Sequence, residues 1–214
     1  MQTRRSFLAA GAGAAVLAAC ARAGDSDPGD VGAVEDLMRE HGVLRRLLLV
    51  LETCTARMQT AAPPRAELAS AAGIIRRFVE DYHEKLEEDY LFPIFRMHAS
   101  HAALVDTLYA QHRAGRALTD RMLRGDPADV PDAIAAFTRM YRPHAAREDT
   151  VLFPSLHHIV RGRAYDELGD RFEDEEHRRF GARGFAGVVD EVAGIERSLG
   201  IEDLARFTPA LATS

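Results

Sequence analysis

His83-Glu84-Lys85-Leu86-Glu87-Glu88-Asp89-Tyr90-Leu91-Phe92-Pro93 and His144-Ala145-Ala146-Arg147-Glu148-Asp149-Thr150-Val151-Leu152-Phe153-Pro154 are two copies of one pattern. In each, a histidine is followed four residues later by a glutamate, and the copy closes on Leu-Phe-Pro. Residues four apart on a helix project from the same face, so each copy offers an imidazole and a carboxylate to one neighbour.

Working outward, both copies lie in longer amphipathic stretches. Ile75, Val79, His83, Leu86 and Tyr90 form one side of a helix expected over about 65–97. Ile134, Phe137, Tyr141, His144, Glu148 and Val151 form the stripe of another over about 131–160. Val34, Leu37, His41, Leu44, Leu48 and Leu51 step by three and four residues, which predicts a first helix over about 33–60, halted before Pro63-Pro64. Val105, Leu108, His112, Thr119 and Met122 mark a helix over about 101–124, stopped by Gly125-Asp126-Pro127. A fifth stretch from about 164 holds Phe172, His177 and Phe180, and a last helix follows Gly181–Gly184 with Val188, Val192, Ile195 and Leu199 inward. The sequence therefore predicts an all-α protein, an up-down-up-down four-helix bundle with additional C-terminal helices. Its bundle occupies 33–200, with a tail at 201–214.

Short connections make consecutive helices antiparallel, so residues equidistant from a turn stand at the same height. The midpoint of His41 and His83 falls at Ala62, that of His83 and His112 between Met97 and His98, and that of His112 and His144 at Ala128. All three are in predicted turns, which puts four inward histidines in one layer. Glu87 and Glu148 belong to that layer, and no Lys or Arg is expected in it. Bare carboxylates in a low-dielectric interior are strongly destabilising, and metal cations resolve the conflict. A pair of divalent ions bridged by two carboxylates and capped by neutral imidazoles suits iron or manganese, whereas structural zinc prefers a closed tetrahedron. Any one of these histidines alone reads as an ordinary core or surface residue; the shared layer is what points to metal.

The repeated motif and its histidine partners resemble the hemerythrin family, in its HHE cation-binding branch, over roughly residues 34–180. The resemblance implies a bundle enclosing two non-haem irons, oxo- or hydroxo-bridged, with manganese or zinc as poorer fits. It also implies terminal ligands at His41, His83, His112 and His144, and bridging carboxylates at Glu87 and Glu148. Where oxygen-carrying hemerythrins have a second histidine one turn after the first in helix three, Arg116 stands here, which argues against reversible oxygen carriage. His177 is a candidate replacement, because its midpoint with Glu148 falls between Gly162 and Arg163; the competing reading is a surface histidine. Glu84 is a further candidate against a solvated helix face. Tyr82, Tyr90 and Tyr141 are read mainly as core, and His98, His101, His157 and His158 as surface residues at helix ends.

With 47% hydrophobic residues in 214, one core is sufficient, and the absence of Trp with abundant Ala, Leu, Arg and Glu favours helix. A net charge of −6 gives no electrostatic basis for nucleic-acid binding. The N-terminal Thr3-Arg4-Arg5-Ser6-Phe7-Leu8, followed by the uncharged run Ala9 to Ala19, has the layout of an export signal over 1–20 and resembles the twin-arginine type. Leu17-Ala18-Ala19-Cys20 resembles a lipobox, implying membrane attachment through a lipidated Cys20; the competing reading is an ordinary secretory signal that delivers the chain to the periplasm, with Cys20 a bystander. Residues 21–32 form a Gly, Asp, Ser and Pro-rich tether. Cys54 is expected in the core.

Three functional expectations follow. The first is an exported, cell-envelope di-iron protein that binds or senses oxygen, peroxide or nitric oxide. The second is an enzyme at the same centre that turns over peroxide or oxidises ferrous iron. The third is a structural or sensory module that metal only tightens.

Overall fold

The computed structural model describes residues 31–58, 60 and 63–210. The leader, Cys20 and most of the tether lie outside them. Among the described residues the chain is entirely helical, without strands. Six helices carry it: α1 (Ala33–Arg57), α2 (65–97), α3 (Ala102–Arg124), α4 (130–159), α5 (Arg163–Phe180) and α6 (Gly184–Leu199). Short 3-10 turns occupy Gly181–Arg183 and Leu204–Phe207. None of the described helices is long and apolar enough to cross a membrane.

The punctuation is that of the sequence. α3 ends on Gly125 at φ 70°, whose N–H bonds the Met122 carbonyl, a left-handed cap that costs glycine nothing. α1 stops at Arg57, a few residues before the expected limit, because Met58 turns its N–H back to the Thr55 carbonyl.

Each inward stripe is buried. Val34, Leu37, Leu44, Leu48 and Leu51 of α1 meet Ile75 and Val79 of α2, Val105 and Leu108 of α3, and Ile134, Phe137 and Tyr141 of α4 in one core. α1 packs on α2 and α4, and α3 packs on the same two, so these four close a circuit; α5 and α6 lie against α1 and α2. Cys54 is buried in that core. Burial, with Glu67 nearby, pushes its thiol up to about 11, so it is a packing group.

Two of the helices are not regular. α2 widens to π geometry over Ile75–His83 and Glu87–Leu91, and α4 over Glu148–Leu152. The Leu-Phe-Pro ends supply a reason for Glu87–Leu91 and Glu148–Leu152. A helical proline lacks its N–H and presses on the carbonyl four residues back, here Asp89 for Pro93 and Thr150 for Pro154. Both carbonyls lie inside a π segment, where the wider turn relieves the contact. Periodicity at 3.6 residues identifies the helix but is blind to a local extra residue, and the sequence reading assigned plain α-helix there.

Candidate metal centre

His41 on α1, His83 and Glu87 on α2, His112 on α3, and His144 and Glu148 on α4 converge at one depth, none more than 4% exposed. Glu148 Oε2 lies 3.4 Å from His41 Nε2 and 3.2 Å from His144 Nε2. Glu87 Oε2 lies 3.3 Å from His112 Nε2 and 3.9 Å from His83 Nε2. The Nε2 atoms of His112 and His144 are 3.3 Å apart. His112 and His144 thus gather with Glu87 and Glu148, while His41 and His83 gather with Glu87 on the other side.

The opposite ring nitrogens fix the chemistry of these contacts. His41 Nδ1 meets Asp149 Oδ1 at 2.6 Å, His83 Nδ1 meets Glu40 Oε2 at 2.7 Å, His112 Nδ1 meets Glu88 Oε1 at 3.1 Å, and His144 Nδ1 meets Gln111 Oε1 at 2.8 Å. A carboxylate or amide oxygen accepts, so each Nδ1–H donates and each Nε2 turns a lone pair toward Glu87 and Glu148. The partners form a circuit: α1 holds the ring of α2, α2 that of α3, α3 that of α4, and α4 that of α1. Glu40, Glu88, Gln111 and Asp149 were not singled out in the sequence. Each sits next to a motif residue, which was the available signal, but a polar neighbour on a helix reads first as solvated face.

Lone pairs facing carboxylates repel unless a cation stands between them. All four oxygens of Glu87 and Glu148, together with His41 Nε2, are buried without a hydrogen-bond partner. Donors sharing a first-row ion at roughly 2.0–2.2 Å stand roughly 3.0–3.5 Å apart, and most of the separations above fall there. The donor set fits metal. Without metal, protons take that role. Burial and the neighbouring Glu148 push Glu87 well above the carboxylate range, and burial would do the same to Glu148, but the His144 and His41 imidazoles outweigh it and hold it well below. Burial opposes charge on His41, yet Asp149 and Glu148 raise it to about 9; burial and the charge of His41 hold His83 well below 6.5.

The outer wall carries a cation that the sequence reading did not place there. Arg116 forms ion pairs with Glu84 and Glu88, each at 2.8 Å, without touching Glu87 or Glu148. Burial would raise Glu88, but hydrogen bonds from His112, Lys85 and Arg116 hold it down to about 2. Glu84 is buried, not solvated; it accepts from the Tyr141 hydroxyl, and burial pushes it up to about 8. Tyr141 reaches it across Gly115, where a Cβ would come within 2.0 Å of the Tyr141 oxygen and 2.8 Å of its ring.

His177 is not brought into the layer. It is exposed on α5, because the inward positions of that helix are Leu168 and Phe172, and its neighbour Glu176 is the residue that turns toward α1. His98, His157 and His158 are exposed, and His101 is partly buried against Ser155.

A helical protein with paired histidines and carboxylates in a buried interior layer is a cation-binding protein by its donors. The family described as hemerythrin HHE cation binding domain matches residues 32–156, and the chain belongs to that family. Uncharacterized proteins of Mycobacterium bovis (strain ATCC BAA-935 / AF2122/97) and Mycobacterium tuberculosis (strain ATCC 25618 / H37Rv) are each 48% identical over 191 residues, covering 84% of this chain and 75% of theirs. No solved structure gives a significant match to the chain.

Proposed function

We propose that the chain is a non-haem di-iron protein of the cell envelope that binds or senses oxygen, peroxide or nitric oxide. The observation that carries it is the convergence of four imidazole Nε2 atoms on two carboxylates whose oxygens lack any hydrogen-bond partner. His41 and His83 would hold one ion and His112 and His144 the other, with Glu87 and Glu148 available to both, in a bundle running up-down-up-down. Iron, when bound there, supplies one-electron redox chemistry and an affinity for small oxygen and nitrogen ligands. The protein keeps the layer dry, fixes the imidazole tautomers and supplies both bridging charges. Arg116 pairs with Glu84 and Glu88, so α3 would give a bound metal a single imidazole, a donor count that leaves room for a small exogenous ligand.

The cell-envelope location is supported by Arg4-Arg5 with its apolar run and by Cys20 after Leu17-Ala18-Ala19. Mass spectrometry of the chain recovered from membranes tests it: a mature form beginning at an acylated Cys20 is expected, and an intact, soluble Met1 form refutes it.

The deciding experiment for the centre is the optical spectrum of the reduced, iron-loaded protein before and after air. New absorption is expected in the parent protein and not in His83→Ala or His144→Ala. Less than one metal ion per chain after anaerobic loading, or an unaltered spectrum in both variants, overturns the reading.

One observation favours the enzymatic alternative, peroxide turnover at the same centre. Glu84, raised to about 8 by burial and accepting from the Tyr141 hydroxyl, lies close to His112, where a proton donor would serve peroxide cleavage. Rapid peroxide loss that falls in Glu84→Gln while iron content holds would establish it. A large melting shift on loading without redox change would leave a structural module.

A further inference from the structure

At the end of the bundle where α1 and α3 finish and α2 and α4 begin, the helices leave a hole of about 430 Å³. Met58, Leu68, Met122, Leu123 and Val130 line it, and the charged residue of its lining is Arg65. Its size is that of a built binding pocket, and apolar walls of this kind are unfavourable in water.

The same end carries apolar groups that the core leaves out. Ile195 and Ser198 of α6 share a cleft with Ala66, Glu67 and Ser70 in the first turns of α2, so α6 finishes beside the hole. The chain then passes through the 3-10 turn Leu204–Phe207. Asp203 caps that turn by accepting the Ala205 N–H at 2.9 Å, and Arg206 donates back to the Gly200 carbonyl, which ties the turn to the end of α6. Side chains three residues apart eclipse in such a turn, which sets Leu204 and Phe207 on one side of it. They are 79% and 50% exposed, and neither lines the hole. Large apolar side chains held out to water by an ordered turn mark a contact surface.

Charge follows the same division. Glu202 and Asp203 stand exposed next to the two apolar side chains, and Arg65 stands exposed at the hole. A surface that carries both a projection and the hollow that suits it is complementary to itself, and a two-fold axis lets each copy fill the other. We infer that the chain forms a dimer through this end, with Leu204 and Phe207 of each copy seated in the apolar hole of the other and Glu202 set against Arg65. None of these residues belongs to the histidine layer, so the dimer does not depend on what the layer binds.

The test is sedimentation equilibrium of the whole chain over a concentration series, with circular dichroism on every variant. The parent protein is expected to be a dimer. Phe207→Asp and Leu123→Asp, both at exposed positions, are each expected to weaken self-association at least tenfold with helix content unchanged. Arg65→Glu is expected to weaken it too, and adding Glu202→Lys to that variant to recover it, which a loss of folding could not do. A parent protein that stays monomeric throughout the series overturns the inference and leaves the hole to the chain's own residues 211–214 or to an apolar small molecule. Association undiminished by Phe207→Asp and Leu123→Asp also overturns it, because the contact then lies elsewhere.

Discussion

Asp149 and Glu88 do not face the centre, yet each decides how an imidazole faces it. Asp149 holds His41 Nδ1 while bonding Arg45, and Glu88 holds His112 Nδ1 while bonding Arg116 and Lys85. Removing such a partner typically costs about 10–100-fold in metal affinity, because ring orientation and basicity are both lost. Asp149→Ala and Glu88→Ala are each expected to show that loss in a chelator competition titration, with helix content unchanged; affinities within twofold of the parent would contradict the orienting role. Gly115→Ala tests the opposite kind of constraint, a space that must stay empty. Its methyl group would overlap the Tyr141 ring, and overpacking of this kind costs ~1–3 kcal/mol. A lower melting temperature is expected, partly recovered by adding Tyr141→Phe. At this scale the six motif residues were legible in the sequence because inward stripes and turn midpoints agree. The burial of Glu84 and the exposure of His177 were not, since which side of α5 faces α1 is settled by how Leu168 and Phe172 pack.

The helices themselves were legible to within a few residues, since their punctuation is local: Pro63-Pro64, Gly125 and Gly162 act where they stand. The π segments were not: those over Glu87–Leu91 and Glu148–Leu152 arise from a conflict between Pro93 or Pro154 and a carbonyl one turn back, and nothing in the sequence accounts for the one over Ile75–His83. They also carry the chemistry, as His83, Glu87 and Glu148 all sit in or at the start of one. Pro154→Ala restores the N–H that an ordinary α-turn would donate to Thr150. The expected outcome is a helix closer to α geometry, with Glu148 turned from the axis, metal content reduced, and a melting temperature unchanged or raised. Full metal content in that variant would show that the wide turn is held by something other than proline.

For the molecule as a whole, pH is the sharpest probe. Without metal, His41 stands at about 9 against 6.5 for the free side chain, and Glu40 and Glu84 at about 8 against 4.5, all three raised despite or because of burial. A raised value in the folded state means stabilisation present below the free-chain value and lost as pH climbs through the folded one. The two carboxyls lose theirs from 4.5 to about 8, and His41 from 6.5 to about 9. Glu88, held at about 2, works the other way: it stabilises above 4.5 and its contribution disappears as pH falls toward 2. The metal-free protein should therefore be most stable near pH 5 and lose on the order of 10 °C in melting temperature by pH 9. Metal should remove that slope, since a cation replaces the protons; a flat metal-free profile would contradict the assignment. What composition could say at this scale, an acidic helical chain with one core, is a bound on the answer; the centre itself needed four separate helices brought to one depth.

The circuit in which every helix steadies the next one's ring has a consequence for dismemberment. Excising any of the four takes away a ring donor and also the brace of a donor that remains, so the damage runs around the loop instead of stopping at the cut. Fragments should not hold ions in proportion to the donors they keep; they should hold them all or hold none.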